Sequence, residues 1–318
     1  MQVFNNPSQV EIKNAAQALK DGHLVAFPTE TVYGLGADAT NESAVSRVYS
    51  VKGRPTDHPL IVHIASINQL EKWAIDIPKY AIDLAEAFWP GPMTLILKRS
   101  KLAKDFITGG QENIGLRVPN QPVALELLRK FEELAGYGIA APSANRFGAV
   151  SPTTVSAVNE ELNDYLSGLD LILGGQRCEI GVESTIINCT EFQPQILRPG
   201  AVTQIMIEAI TGLKLSEEYK KKQIKAAGSF RSHYAPKAKV SIGEFALPGE
   251  GYIAMSNYKS HKGVIRLASP SNIEEFARDL YAALRAGDQM GLSKIVVTPP
   301  DGGGLALAIR DRLYKASN

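Results

Sequence analysis

The chain has 318 residues, with 34 Lys and Arg against 33 Asp and Glu, a formal charge of +1. Hydrophobic residues make up 44% and charged residues 21%, so bulk disorder is excluded and the length favours two domains. A chain so balanced is no bulk polyanion binder, and no apolar run approaches the ~20 residues of a membrane span. Two cysteines, Cys178 and Cys189, are too few for a disulfide scaffold. Residues 1–7 lack the basic and apolar regions of a signal peptide, so a reduced, cytoplasmic protein is expected. Ser8 with Glu11 forms a capping box ahead of Ile12, Ala15, Ala16 and Leu19 at helical spacing, and Gly22 stops that run. Residues 24–27 read as a strand, and Asn41 caps a helix with Ala44, Val45, Val48 and Val51 on its apolar face. Further strands are expected at 60–64, 93–98, 114–118, 139–141, 169–173 and 184–188. Helices are expected to end across 82–88 and to run near 123–134 and 153–162. This interspersion predicts an α/β domain over 1–212 with one large twisted sheet.

From 214 to 239 the character changes. Eight Lys or Arg stand against two Glu, a net of +6, and the stretch 213–239 reads as a basic linker. Short strands at 240–242, 252–254, 264–267 and 295–298 follow. A helix opened by a Ser271–Glu274 capping box and another over 305–315 complete a small α/β unit, 240–318, with a parallel sheet.

The signatures of single-motif enzymes are missing. There is no GxxxxGK[ST] loop, no GxGxxG after a strand, no HExxH and no GxSxG. The five His are scattered, so no protein-held metal site is expected. What remains is polar residues where strands end, the places where α/β proteins hold ligands. Pro28-Thr29-Glu30-Thr31-Val32-Tyr33-Gly34-Leu35-Gly36 fits either a glycine turn or a polar ligand held near backbone. Lys52-Gly53-Arg54-Pro55 fits either a solvated helix end or a pair of cations for a phosphate chain. His63 sits in an apolar strand, as core or as ligand. Arg117, inside a short apolar strand, needs a partner if buried, either structural or an anionic ligand. Pro142-Ser143-Ala144-Asn145 and Ser151-Pro152-Thr153 fit N-caps or phosphate contacts. Gly181-Val182-Glu183-Ser184-Thr185 and Arg198-Pro199-Gly200 complete the set. Together they favour a cleft for a polyanionic nucleotide and a small polar ligand.

Taken in order, these segments, with Pro90-Gly91-Pro92, resemble the YrdC-like threonylcarbamoyl-adenylate synthases. His233-Tyr234-Ala235-Pro236 before a small α/β domain resembles their long, two-domain form. The resemblance implies a YrdC-like domain with a large mixed sheet, a linker acting as a lid, and a Rossmann-like C-terminal domain. It implies that L-threonine, bicarbonate or CO2, and ATP give L-threonylcarbamoyl-adenylate and pyrophosphate. That product would feed threonylcarbamoylation of a tRNA adenosine by a separate transferase complex, with at most a weak tRNA contact here. Carried over by motif, the threonine site falls on Thr31, His63, Arg117, Ala141 and Ser184. The ATP site falls on Lys52, Arg54, His58, Asn113, Ser143, Ser151, Arg198 and Tyr234, with Lys52 and Arg54 as the catalytic cations and Mg2+ arriving with ATP. A non-catalytic RNA-binding module, or another carbamoyl or nucleotidyl transferase on the same fold, are the rival readings.

Overall fold

The structure, a computed structural model, describes residues 1–216, 224–225, 228, 233–243 and 245–318. The expected lid therefore lies partly outside the described residues.

The N-terminal part carries β1 (Gln2–Phe4), α1 (Gln9–Lys20), β2 (Val25–Phe27), β3 (Gly34–Asp38), α2 (Glu42–Lys52) and β4 (Ile61–His63). Then come α3 (Leu70–Trp73), α4 (Lys79–Phe88), β5 (Met93–Lys98), α5 (Asp105–Thr108), β6 (Asn113–Arg117) and α6 (Pro122–Glu133). It ends with β7 (Ile139–Ala140), α7 (Val155–Leu162), β8 (Leu171–Leu173), β9 (Thr185–Asn188), β10 (Gln195–Arg198) and α8 (Gln204–Thr211). The strands form one mixed sheet of ten, in the order β1-β8-β2-β3-β7-β4-β6-β5-β9-β10.

Alternation along the strands splits the core in two. Leu24 and Ala26 face one side with Leu35, Val62, Leu95, Leu116 and Ile187, under α2 and α4. Val25 and Phe27 face the other, with Ile139 and Leu173, under α1 and α6. The Ser8–Glu11 box caps α1 as its sequence dictates, and Ile12, Ala15, Ala16 and Leu19 are its buried face. Leu19→Ala would cost roughly 2–5 kcal/mol, since transfer and cavity terms add at a site with no exposure. Strands β1 and β3 escape the sequence reading for physical reasons. β1 is a mostly exposed edge, and Gly34-Leu35-Gly36-Ala37-Asp38 has no β-branched residue.

The C-terminal part holds β11 (Lys239–Ile242), β12 (Gly251–Ile253), β13 (Ile265–Ala268), α9 (Ile273–Gln289), β14 (Lys294–Val297) and α10 (Leu305–Ala316). Its sheet is all parallel, in the order β11-β14-β12-β13. The expected Ser271–Glu274 box sits one residue off: Asn272 caps α9 through Glu275 N, and Glu275 reaches back to Ser271 N.

This unit packs directly on the first. Val32, Val150 and Val182 share a core with Tyr234, Phe276, Ala277 and Tyr281. Gly181 allows it: at φ +77°, a Cβ there would lie 2.4 Å from Arg278 Cα on α9. Backbone bonds from Ala235 N to Gly148 O (2.9 Å) and His233 N to Lys315 O (3.1 Å) tie the linker's end to both units.

Candidate active site

Parallel β4 and β6 place His63 opposite Arg117, so two polar side chains emerge side by side at strand carboxyl ends. Antiparallel β3 and β7 extend that pairing: Leu35 N donates to Pro142 O, and Gly34 bridges Ser143. The polar loops after β2, β4, β6 and β7 therefore converge. They line one shared cavity.

One end of the cavity is built by the first domain alone. Arg117 Nη2 donates to Glu30 Oε1 at 2.6 Å and its Nε to Gly91 O at 3.3 Å, while Asn120 N holds Glu30 Oε2 at 3.0 Å. The buried cation thus has the counter-charge that its burial demands. Its Nη1 has no partner among the described residues, and Arg117 lines the cavity. Beside it, Thr29 Oγ1 donates to Val32 O at 2.6 Å and accepts from Thr31 N at 3.2 Å, setting the Thr31 hydroxyl 2.8 Å from its own. Burial, reinforced by Arg117, pushes His63 down to about 3, so its imidazole is neutral at physiological pH. His63 Nδ1 is buried and unpaired among the described residues. Ala141 completes this wall.

The other end is cationic. Arg54 is buried, gives Nη2 to Pro59 O at 3.1 Å, and keeps Nε unpaired among the described residues. Arg198 donates Nε to Ser184 O (3.0 Å) and Nη2 to Ser184 Oγ (3.1 Å), and Ser184 Oγ meets Thr94 Oγ1 at 2.8 Å. Tyr234 closes this end from the linker. Its φ of 64° is a left-handed conformation that a non-glycine residue holds at a cost of about 1–3 kcal/mol. Its ring packs 4.1 Å from His233 and 5.8 Å from Tyr281. The Tyr234 hydroxyl is buried, unpaired among the described residues, and pushed up to about 12 by burial and then by Glu183. Gly228 lies over it, where a Cβ would come within 2.2 Å of that hydroxyl.

Nine of the thirteen sequence-predicted residues line this cavity: Thr31, Arg54, His63, Arg117, Ala141, Ser143, Ser184, Arg198 and Tyr234. The other four stand behind or beside it. Lys52, only 2% exposed, donates Nζ to Ser143 O at 2.5 Å and to Asn145 O, so it tethers the Ser143 loop. Burial, and then Arg54, lower its pKa well below the usual lysine range. Ser151 is fully buried, its Oγ donating to Glu183 Oε1 at 2.7 Å. His58 sits 3.6 Å from Asp57, and Asn113 begins β6 opposite Lys98.

Two residues that matter, Arg312 and Tyr281, were not singled out by sequence, and Glu30 and Glu183 were named only within motifs, without a role. Glu30 was findable, because a buried Arg117 requires an acid and Glu30 lies in a loop already suspect. Glu183 lies next to Ser184 and accepts from Arg312 Nε at 2.8 Å and Tyr281 Oη at 3.0 Å. Arg312 on α10 and Tyr281 on α9 carry no local signal, since they reach the site only through the packing of the two domains.

Among the described residues no group of three His, Cys, Asp or Glu could hold a metal ion. Among the described residues the lining's one carboxylate, Glu183, is engaged with Arg312, Tyr281 and Ser151. Nor is any described helix long and apolar enough to cross a membrane.

The chain is a two-domain α/β protein whose cavity is lined by Arg117, Thr31 and His63 at one end and by Arg54 and Arg198 at the other. Residues 17–200 match the family model described as telomere recombination (Sua5, YciO, YrdC), and 202–318 match the C-terminal domain of threonylcarbamoyl-AMP synthase. The threonylcarbamoyl-AMP synthase of Pyrococcus abyssi is 41% identical, over 96% of this chain and 94% of its own. That of Bacillus subtilis is 37% identical, over 96% and 93%. The crystal structure of P. abyssi Sua5 complexed with L-threonine superposes with a TM-score of 0.89 at 38% identity, covering 100% of this chain and 98% of that one. The chain belongs to the threonylcarbamoyl-AMP synthase family, in its two-domain form.

Proposed function

We propose that the chain makes L-threonylcarbamoyl-adenylate and pyrophosphate from L-threonine, bicarbonate or CO2, and ATP. The observation that carries this is one cavity with two chemically different ends, in a chain of this family. Arg117, pre-set by Glu30, offers Nη1 to the threonine carboxylate, with Thr31, His63, Ala141 and Ser184 around the amino acid. Arg54 and Arg198 offer planar cations to the triphosphate, with Ser143 and Tyr234 beside the nucleotide. Lys52 supports that end from behind by fixing the Ser143 loop. His58, Asn113 and Ser151 border it.

The threonine amine adds to CO2 and loses a proton, giving a carbamate. A carbamate oxygen then attacks the α-phosphorus, the bond to the β-phosphate oxygen breaks, and pyrophosphate leaves. Such transfer depends on positioning and charge neutralisation more than on a general base. Neutral His63 is a hydrogen-bond partner that adds no charge to repel an ammonium. Carbamate and mixed anhydride both react with water, so burial beneath Tyr234 and Gly228 protects them. Mg2+ would enter as part of the ATP complex, since the wall provides no carboxylate pair to hold it.

The product would pass to a separate transferase complex that threonylcarbamoylates a tRNA adenosine, in the cytoplasm. Contact with tRNA itself would be weak, given a formal charge of +1. Pyrophosphate release from ATP, measured with threonine and bicarbonate omitted in turn, tests the reading. Release should require both. Release without threonine would reject it, and RNA binding with no turnover would favour the non-catalytic module.

A further inference from the structure

The Glu183 carboxylate is buried at the junction of both domains. Glu183 takes Ser151 Oγ at 2.7 Å from the first domain. From the C-terminal domain it takes Arg312 Nε at 2.8 Å and Tyr281 Oη at 3.0 and 3.2 Å. Arg312 is 1% exposed, an extreme for an arginine. Its Nη2 also donates to Pro199 O at 3.1 Å, and its guanidinium lies 5.4 Å from the Tyr234 ring centre.

Glu183 and Pro199 are the chain neighbours of Ser184 and Arg198, two lining residues that bond each other. We propose that Arg312 is a positioning residue of the nucleotide site: it occupies the Glu183 carboxylate, so that Arg198 keeps its hold on Ser184 and stays aimed into the cavity instead of turning to that acid. The C-terminal domain then completes the active site with one side chain. This rests on the reading that Arg198 meets ATP.

The ion pairs give the reason for a cation here. Among the described residues, Glu183 has Arg312 and Arg198 as its nearby cations, while Asp311 pairs with Arg312 and Lys315. Arg312 pairs with Glu183, so that acid makes no demand on Arg198 at the cavity wall. Without Arg312, Glu183 becomes a buried acid with Arg198 as the remaining nearby cation, and pairing them turns Arg198 away from an anionic ligand.

The test measures binding of a non-hydrolysable ATP analogue to the full chain by calorimetry, with threonine binding and melting temperature alongside. Arg312→Met should weaken the analogue at least tenfold and leave threonine within threefold. Adding Glu183→Gln removes the acid that captures Arg198. The double variant should recover analogue affinity to within threefold of the wild type, while its melting temperature stays lowered because the interdomain bonds are not restored. A merely structural tie predicts the opposite: affinity and melting temperature would stay low together. Should Arg312→Met not fold, the charge-free double variant decides alone, since weak binding by it overturns the proposal. Wild-type affinity in the single variant overturns it too. A wild-type chain that binds threonine but no nucleotide rejects instead the reading of Arg198 beneath it.

Discussion

The two ends of the cavity are stabilised differently. At the end assigned to threonine, Arg117, Glu30, Thr29 and Thr31 complete one another within the first domain: Arg117 ends β6, and its partner Glu30 lies in the loop after β2. At the nucleotide end, the first domain supplies Arg54 and Arg198, the linker supplies Tyr234, and the second domain supplies Arg312. A pocket for a small zwitterion can be prebuilt and stay rigid. A pocket for a nucleotide must open to admit it, and parts drawn from three segments allow that.

The largest effect expected falls on the prebuilt end. Arg117→Met leaves Glu30 buried without its counter-charge, which should destabilise the fold by about 3–5 kcal/mol and abolish measurable threonine binding. Adding Glu30→Gln should restore much of the stability in urea titrations but none of the threonine affinity. If threonine still binds the double variant normally, Arg117 is a structural cation only, and the two ends do not divide as described.

At the nucleotide end two cations that look equivalent in the sequence should behave differently. Arg54 faces the cavity with an unpaired Nε, so Arg54→Ala should weaken ATP by roughly 1.5–3 kcal/mol, about 10- to 150-fold, with little change in melting temperature. Lys52→Ala should instead lower the melting temperature as well, because the Ser143 and Asn145 carbonyls lose their shared donor. Equal melting temperatures for the two variants would return Lys52 to a direct phosphate role.

That contrast shows what the sequence made legible. The alternation of apolar residues, the Ser8 and Asn41 caps and the polar strand ends are local, and they predicted the α/β order and most of the cavity lining. Lys52 and Arg54 are two residues apart at a helix end, and nothing local says which guanidinium or ammonium turns inward. Gly53, at φ 62°, terminates α2 and sends Arg54 to the cavity while Lys52 points into the loop behind it. Arg312 and Tyr281 were illegible for a stronger reason. They lie 129 and 98 residues from Glu183, and only domain docking brings them to it.

A smaller effect concerns acid. Burial holds His63 and His233 neutral, each down to about 3 from an ordinary 6.5. A depressed folded-state pKa means the unfolded chain binds the proton more readily. The stability these residues allow is therefore complete above pH 6.5 and falls as pH drops toward 3, by about 1.4 kcal/mol per pH unit for each histidine. Urea midpoints at pH 7.5 and 5 should show the loss, and His63→Gln should flatten part of the slope. A midpoint unchanged at pH 5 would mean that both rings find room to protonate in the folded chain.

The smallest effect is also the most discriminating between the two ends, because its sign depends on whether ligand is present. The Tyr234 hydroxyl is buried without a partner among the described residues, which is unfavourable in the ligand-free chain. Tyr234→Phe removes that unsatisfied group and keeps the ring against His233 and Tyr281, so the ligand-free melting temperature should hold or rise slightly. On the proposed assignment this hydroxyl, lining the cationic end, meets the nucleotide. Losing that one hydrogen bond should weaken ATP by about 0.5–1.5 kcal/mol, roughly 2- to 13-fold, while threonine binding, set at the other end by Arg117 and Glu30, is unchanged. Calorimetry with each ligand, beside a melting curve without either, measures all three quantities on one preparation. A drop in melting temperature would show that the hydroxyl already serves the closed, empty site. Equal weakening of threonine and ATP would show that Tyr234 closes over the whole cavity rather than over its nucleotide end.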